Sequence, residues 1–519
     1  MALCGPLHLA LLGLGLGLAG AAETPGNSSL GLLEFSLGKF RHFVLNKPFP
    51  EEAVLRYISS NVTFIIFQVH SQYKNVTVSF NKNPPSGASG TGVDKGLVST
   101  LRPEQSICTW YLESSDADNV WSVAVPLSYS EKDPIPGGCN LEFDLNVDPN
   151  IYLEYNIYET VIKFAPANLG YSRGTDPQPC DLGTGLDSRW RLQYDVYQYF
   201  LPENNLTEEV LLRHMQKMSM VSQIEASGFK VATLKSSEKT IVYFSSIPGQ
   251  GVIYNVIVRD PVLNTSAAYV PAHTYACHFT TILDNCSSLG RLSTKVFFTI
   301  FAILGLFICF FGHRFWKTEL FFIGFIFVGF FFYILITRLT LLQYDGELKI
   351  FHDDAVFWVA FSCMAISIPV VFIGCLRILN ILACGITGSY SVVLAIDSYF
   401  YTSLSYITLN VLKRAVNTNF NRAYTNVPFQ TNDFVILAIW VMLAVSGITL
   451  QIRRERGRPF FPPHPYKMWK RERERRVTNI LDPSYHVRPL RERLYSKLAQ
   501  FKQLFHEEET TGERTPLLL

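Results

Sequence analysis

The sequence lacks the signatures of catalysis. It contains no His-Glu-x-x-His, no Gly-x-Ser-x-Gly and no glycine-rich phosphate loop, which removes the common frameworks for a zinc hydrolase, a serine hydrolase or a nucleotide-phosphate binder. Charge is scarce, at 17% of 519 residues with a net value of +2, so no overall field would draw nucleic acid. No catalytic residue, cofactor or metal ligand set is expected, and the chain does not read as an enzyme. His352-Asp353-Asp354 reads as a solvated turn, and Glu142, Asp144 and Asp148 as the polar face of a strand. Lys and Arg are absent from the interiors of five apolar runs, and Asn-x-Ser/Thr is absent beyond residue 291.

The second absence sets the topology. Six glycosylation sequons precede that point, at Asn27, Asn61, Asn75, Asn205, Asn264 and Asn285. Such Asn residues are modified only in the secretory lumen. The first part of the chain is therefore expected outside and the rest in the membrane. Residues 1–21, with the apolar core Leu7–Leu18 before Ala19-Gly20-Ala21, read as a signal peptide.

The apolar runs 296–312, 320–337, 355–376, 378–400 and 434–452 reach the roughly 17–25 residues that a spanning helix needs. Five spans with the N-terminus outside leave the C-terminus in the cytosol. The basic pairs His313-Arg314 and Arg453-Arg454 fall on the cytosolic side, as the positive-inside rule requires. Lys413, Arg414 and Arg422 fall in a loop expected on the lumenal side and break the rule. Small residues at Ala383, Gly385 and Gly388 allow close helix packing. Asp397 is an acid inside a span. It reads either as a proton or cation site or as a hydrated group near the lumenal end.

Between residues 22 and 291 the pattern is mostly period two, with Gly, Pro and Asn turns. The expectation is two β-sandwich modules, 22–169 and 186–291, divided by the Gly-, Asp- and Pro-rich stretch 170–188. Strands are expected at 62–69, 120–127, 141–148, 151–164, 192–199, 240–244 and 252–258, and a helix near Glu208–Met220. The whole is thus a β-sandwich-rich glycosylated ectodomain followed by an α-helical multi-pass bundle, 296–452.

Five cysteines lie in the expected lumenal part: Cys108, Cys139, Cys180, Cys277 and Cys286. Disulfides are expected in that compartment. Cys277–Cys286 is the first candidate pair and Cys108–Cys139 the second, leaving one thiol free or paired between chains.

The cytosolic tail, 453–519, opens with 15 Lys and Arg against 5 Asp and Glu over residues 453–502. Such a run is drawn to anionic inner-leaflet lipids by ~1 kcal/mol per basic residue near the surface, or it simply fixes topology. The chain ends with Glu513, Leu517 and Leu518 in the spacing of an acidic dileucine signal for a sorting adaptor. The expected location is the secretory pathway, at the plasma membrane, endosome or lysosome. Partners are then the bilayer, an unidentified protein ligand of the ectodomain and an adaptor.

Three stretches carry a more specific signal: His313 to Phe325, Gly388-Ser389-Tyr390-Ser391 on to Tyr399, and Leu450 through Arg458 to Tyr466. Together they resemble the transmembrane 7 superfamily member 3 family. The resemblance implies a multi-pass glycoprotein without known enzymatic activity. It also implies a pro-survival role that attenuates cellular and ER stress through the unfolded protein response. It implies seven spans where five are counted. The segment from Arg338 to Asp354 is too short for two more, which looks like a shorter isoform or an incomplete gene model. A transporter or channel using Asp397 is the alternative reading.

Overall fold

The computed structural model describes residues 32–277 apart from 47–49, 86, 115–118, 157, 182, 184–186 and 204. Beyond these it describes 292–315, 357–359, 363, 376–400, 404, 406–417, 420, 422–426, 430–456 and 465–478. It divides into two compact units, one of 1–302, 328–360 and 392–439, the other of 303–327, 361–391 and 440–519. The expected signal peptide, Asn27, Asn285, Cys286, the run 320–337, Glu513, Leu517 and Leu518 lie outside the described residues.

The first unit begins with two facing sheets. One is ordered β1 (Leu32–Phe35), β3 (Glu51–Leu55), β8 (Cys108–Ser114), β5 (Val76–Ser79), β6 (Ser89–Gly92). The other is ordered β2 (Arg41–Leu45), β9 (Val120–Tyr129), β4 (Phe64–His70), β7 (Asp94–Thr100). β1 and β3 run parallel; the remaining neighbours are antiparallel. Phe67 stacks on Trp110 at 4.4 Å between the sheets, and Trp110 donates from Nε1 to Ser99 Oγ. Every residue of β4 is buried. Its Phe-Ile-Ile-Phe-Gln-Val-His run does not alternate because both of its faces are covered.

The second module pairs β10 (Ile151–Tyr155) with β11 (Glu159–Phe164) and β14 (Ile241–Ser245). Its other sheet is β13 (Phe229–Lys235), β12 (Gln193–Phe200), β15 (Val252–Asp260) and β16 (Thr265–Ala268), with β17 (Ala272–Thr274) also on β15. Phe164, Tyr194, Tyr254 and Tyr269 fill its centre. Two short helices cover one side, α1 (Glu208–Lys217) and α2 (Val221–Ser227), through Leu211, Met215 and Ile224. Glu208 and Glu209 in the first turn of α1 suit the positive end of its dipole.

The structure corrects the expected boundary. The sheets change after β9, and 151–164, assigned above to the first module, is a hairpin of the second. The described residues of 170–188 form a loop within the second module rather than a linker between modules, and Gly, Asp and Pro suit either. Residues 141–148 are not a strand either. Asn140 takes the local backbone groups for itself, accepting from the N–H of Glu142 and Phe143 and donating to Phe143 O. That competes with a ladder.

Helices follow: α3 (Leu292–Phe311), α4 (Leu376–Phe400), α5 (Tyr406–Val416), α6 (Thr431–Glu455) and α7 (Pro465–Thr478). Among the described residues, two helices are long and apolar enough to span a bilayer, at Arg377–Tyr399 and Thr431–Glu455. Phe434, Val435, Val441, Met442 and Val445 of α6 are each more than half exposed, which suits lipid as solvent. Within the second unit, small residues set the packing. A Cβ on Gly388 would sit 2.5 Å from Cys309 N, and one on Gly447 would sit 2.4 Å from Cys309 Sγ. Gln451 Nε2 donates to Cys309 O at 2.6 Å.

Candidate functional site

Two places in the first unit concentrate buried polar groups. The first joins the modules. Phe64, Ile66 and Val98 of the β4–β7 face share a core with Ile135 and Val270 of the second module. Gly96 is needed there, since a Cβ would meet Val270 Cγ2 at 2.6 Å. Asn150 completes the ladder that β7 lacks on this edge. Its Oδ1 accepts from Gly96 N at 2.7 Å and its Nδ2 donates to Gly96 O at 3.1 Å. Asp94 accepts from His70 Nδ1 at 2.8 Å and from His273 Nδ1 at 2.6 Å. His273 Nε2 faces Gln72 O at 2.9 Å. A carbonyl only accepts and an ionised carboxylate only accepts, so both nitrogens of His273 donate and the ring is an imidazolium. Burial opposes charge on both partners. The two histidines nevertheless hold Asp94 down to about 2, and Asp94 raises His273. Arg173 adds a third tie, donating from Nε to Val62 O and from Nη2 to Ser59 O.

The second place is the segment between α4 and α6. Tyr424 adds itself to β14: its N–H donates to Tyr243 O at 2.8 Å and its carbonyl accepts from Ser245 N at 3.0 Å. Lys413, 7% exposed, donates to Ser246 O at 2.5 Å and Ser245 Oγ at 3.2 Å. Burial lowers its amine to about 8. Asn410 Oδ1 accepts from Ser245 Oγ. Gln430 Oε1 accepts from Glu203 N at 2.9 Å while its Nε2 donates to Leu201 O at 3.0 Å. The interspan segment is therefore docked on the second module. This accounts for one of the three basic residues that broke the positive-inside rule: Lys413 is a structural donor rather than a topology signal. That violation was the sequence signal for the docking.

Acids gather at this junction. Burial, then the neighbouring Asp433 and Asp397, push the Glu203 carboxyl up to about 7. Asn432 Nδ2 donates to Glu203 Oε2 at 3.0 Å, and Asp433 Oδ2 accepts from Gln430 N at 2.8 Å. Asp397 is 6% exposed, so the reading of a hydrated acid near the span end gives way to a buried one close enough to Glu203 to raise its carboxyl. Glu203 and Asp433 carried no motif and went unnoticed in the sequence.

Of the described glycosylation candidates, Asn61 and Asn264 are exposed and Asn75 and Asn205 half-buried. Asn264 occupies a left-handed turn position (φ 54°) between β15 and β16. Asn61 borders an open cleft of about 580 Å³ with Arg173 and Glu131 across it. The expected Cys108–Cys139 pair is overturned: Cys139 bonds Cys180, and Cys108 is a buried free thiol that burial raises to about 11. The two expected partners lie in different modules, whereas the 170–188 loop returns Cys180 to Cys139. Cys277 is disulfide-bonded to a partner outside the described residues. Among the described residues, no group of three or more His, Cys, Asp or Glu could hold a metal. Asp148, expected on a polar face, is fully buried and accepts from Asn150 and Tyr152.

Comparison with known proteins gives a consistent picture. Residues 31–129 match a TM7SF3-like N-terminal immunoglobulin-like domain, and 134–280 match a TM7SF3-like second immunoglobulin-like domain. A TM7S3/TM198-like domain matches in two overlapping pieces, 298–352 and 344–452. Human transmembrane 7 superfamily member 3 is 68% identical over 553 residues, covering 97% of this chain and 97% of the relative. The mouse protein of that name is 64% identical over 563 residues, covering 99% of this chain and 100% of the relative. Both alignments are longer than the 519 residues of this chain, so each relative carries residues that this chain lacks.

Proposed function

The chain belongs to the transmembrane 7 superfamily member 3 family, and we propose that it is a non-enzymatic multi-pass glycoprotein whose ectodomain binds a protein ligand and reports to the bundle. The observation that carries this reading is the docking of the interspan segment on the second module through Tyr424, Lys413 and Gln430. A ligand that shifts the module would act on α6 through that segment. The pro-survival attenuation of ER stress comes from the family resemblance and from no particular residue. Cells depleted of the chain should induce an unfolded-protein-response reporter more strongly under calcium-store stress, and the intact chain should restore the lower level. Equal induction with and without it would refute the role.

The proposed topology places the modules outside and the tail in the cytosol, in the plasma membrane or the endosome–lysosome system. The two-piece match around 344–352 supports the reading that this form lacks two spans after the second. Glu513, Leu517 and Leu518 are the proposed sorting signal. Replacing both leucines with Ala should move the protein to the cell surface, and an unchanged distribution would discard the signal. The burial of Asp397 keeps a transporter as the second reading. Asp397→Asn should abolish a proton- or cation-coupled flux if it is correct and leave flux untouched if it is not.

A further inference from the structure

We infer that α7 is an in-plane membrane anchor that recognises an anionic lipid surface. This rests on the membrane reading above and deepens its lipid partner. Pro465 opens the helix where proline is tolerated, after a nine-residue connection from the end of α6 at Glu455. Every described side chain along it is exposed, including Tyr466 at 61% and Trp469 at 52%. A 14-residue helix whose described side chains are all exposed is marginal in water, so a surface that covers it would stabilise it.

The side chains specify that partner. Tyr466 and Trp469 stack at 6.0 Å on one face, and Arg473 lies 5.3 Å over the Trp469 ring on the next turn. Aromatic rings that are apolar in body and polar at the edge settle at the headgroup level. The same helix carries Lys467, Lys470, Arg471, Arg473 and Arg475 against Glu472 and Glu474. That excess of cations complements phosphatidylserine-type headgroups. The nine-residue connection reaches at most about 30 Å, so a helix tethered to a span stays near the leaflet surface. Covalent nearness favours that surface over a dilute acidic protein.

The test is amide exchange over 465–478 in the full chain, reconstituted in nanodiscs. Discs of phosphatidylcholine alone are compared with discs that also contain phosphatidylserine. The expected result is about tenfold or greater slowing of exchange in the anionic discs, reversed by high salt. Tyr466→Ser with Trp469→Ser should lose the slowing, and so should Lys470→Glu with Arg473→Glu, while the rest of the map is unchanged. Equal exchange in both lipids overturns the inference. Slowing that survives both the charge reversal and high salt also overturns it, since the contact would then not be electrostatic. A chain that stays in solution outside the discs overturns the membrane reading itself, and is distinguishable because no disc peak carries the protein.

Discussion

His273 gives Asp94 two hydrogen bonds through a single oxygen, from its backbone N–H at 2.8 Å and from Nδ1 at 2.6 Å, both to Oδ2. The two residues are 179 positions apart and belong to different modules. Four expectations follow from this contact and from others like it.

Asp94→Asn should loosen the joint between modules. It leaves a buried imidazolium without its counter-charge, which costs about 3–5 kcal/mol. Thermal unfolding of the ectodomain should shift accordingly. His273→Asn should also destabilise the joint, because it removes the imidazolium and leaves Asp94 with His70 and the backbone N–H of residue 273. The pH sense is set by the two shifts. Asp94 is depressed to about 2, so its share of stability is present above its ordinary value of 3.8 and lost as pH falls through 2. His273 is raised, so its share is present below 6.5 and lost as pH climbs through its elevated value. A melting temperature flat from pH 6 to strongly alkaline conditions would contradict the imidazolium.

Glu203 predicts acid-favoured docking. Its carboxyl titrates near 7 instead of 4.5. A raised acid contributes most below its unfolded value and loses that contribution as pH rises through 7. Exchange of the amides in 422–433, corrected for intrinsic rates, should therefore accelerate as pH rises from about 4.5 to about 7. Glu203→Gln should remove the dependence. Acceleration that persists in Glu203→Gln would move the effect to another group, and not to Lys413, whose amine is lowered to about 8 and therefore favours docking as pH rises.

Peptide mapping without reduction should recover Cys139 joined to Cys180, with Cys108 alkylated only after unfolding. Cys139→Ser or Cys180→Ser should cost about 2–5 kcal/mol. Cys108→Ala should cost less, since no bond is lost. A Cys108–Cys139 peptide in native protein would reject the assignment.

Glycosidase treatment should reduce the mass of the mature chain. Asn61→Gln and Asn264→Gln should each remove one step, as both side chains are exposed. The half-buried Asn205 is held in a local turn with Thr207 by its Oδ1, so Asn205→Gln should lose a glycan and some local order together. An unchanged mass for all of these would put the modules on the wrong side of the membrane.

What could be read from the sequence was local. The strand of β9 is visible in its apolar run, α1 in its 3.6-residue spacing, and close helix packing in Gly385 and Gly388. What could not be read was partnership. The two halves of Ile151–Phe164 look like one strand until β14, far along the chain, pairs with the second. Residues 141–148 alternate as a strand should, but one Asn diverts their hydrogen bonds. Asp94, Asn150 and Glu203 carry no motif, because each gains its role from a neighbour more than 50 positions away.

Tyr424 has a mechanical meaning. A domain held by one peptide linker can swivel, so a torque on it dissipates in the linker. Here the second module continues covalently toward α3 and also grips the chain that leads into α6. A body held at two separated points loses rotational freedom. Twisting it pulls one attachment against the other. Load applied at the second module would thus reach the chain through both attachments, as a lever delivers it rather than a leash.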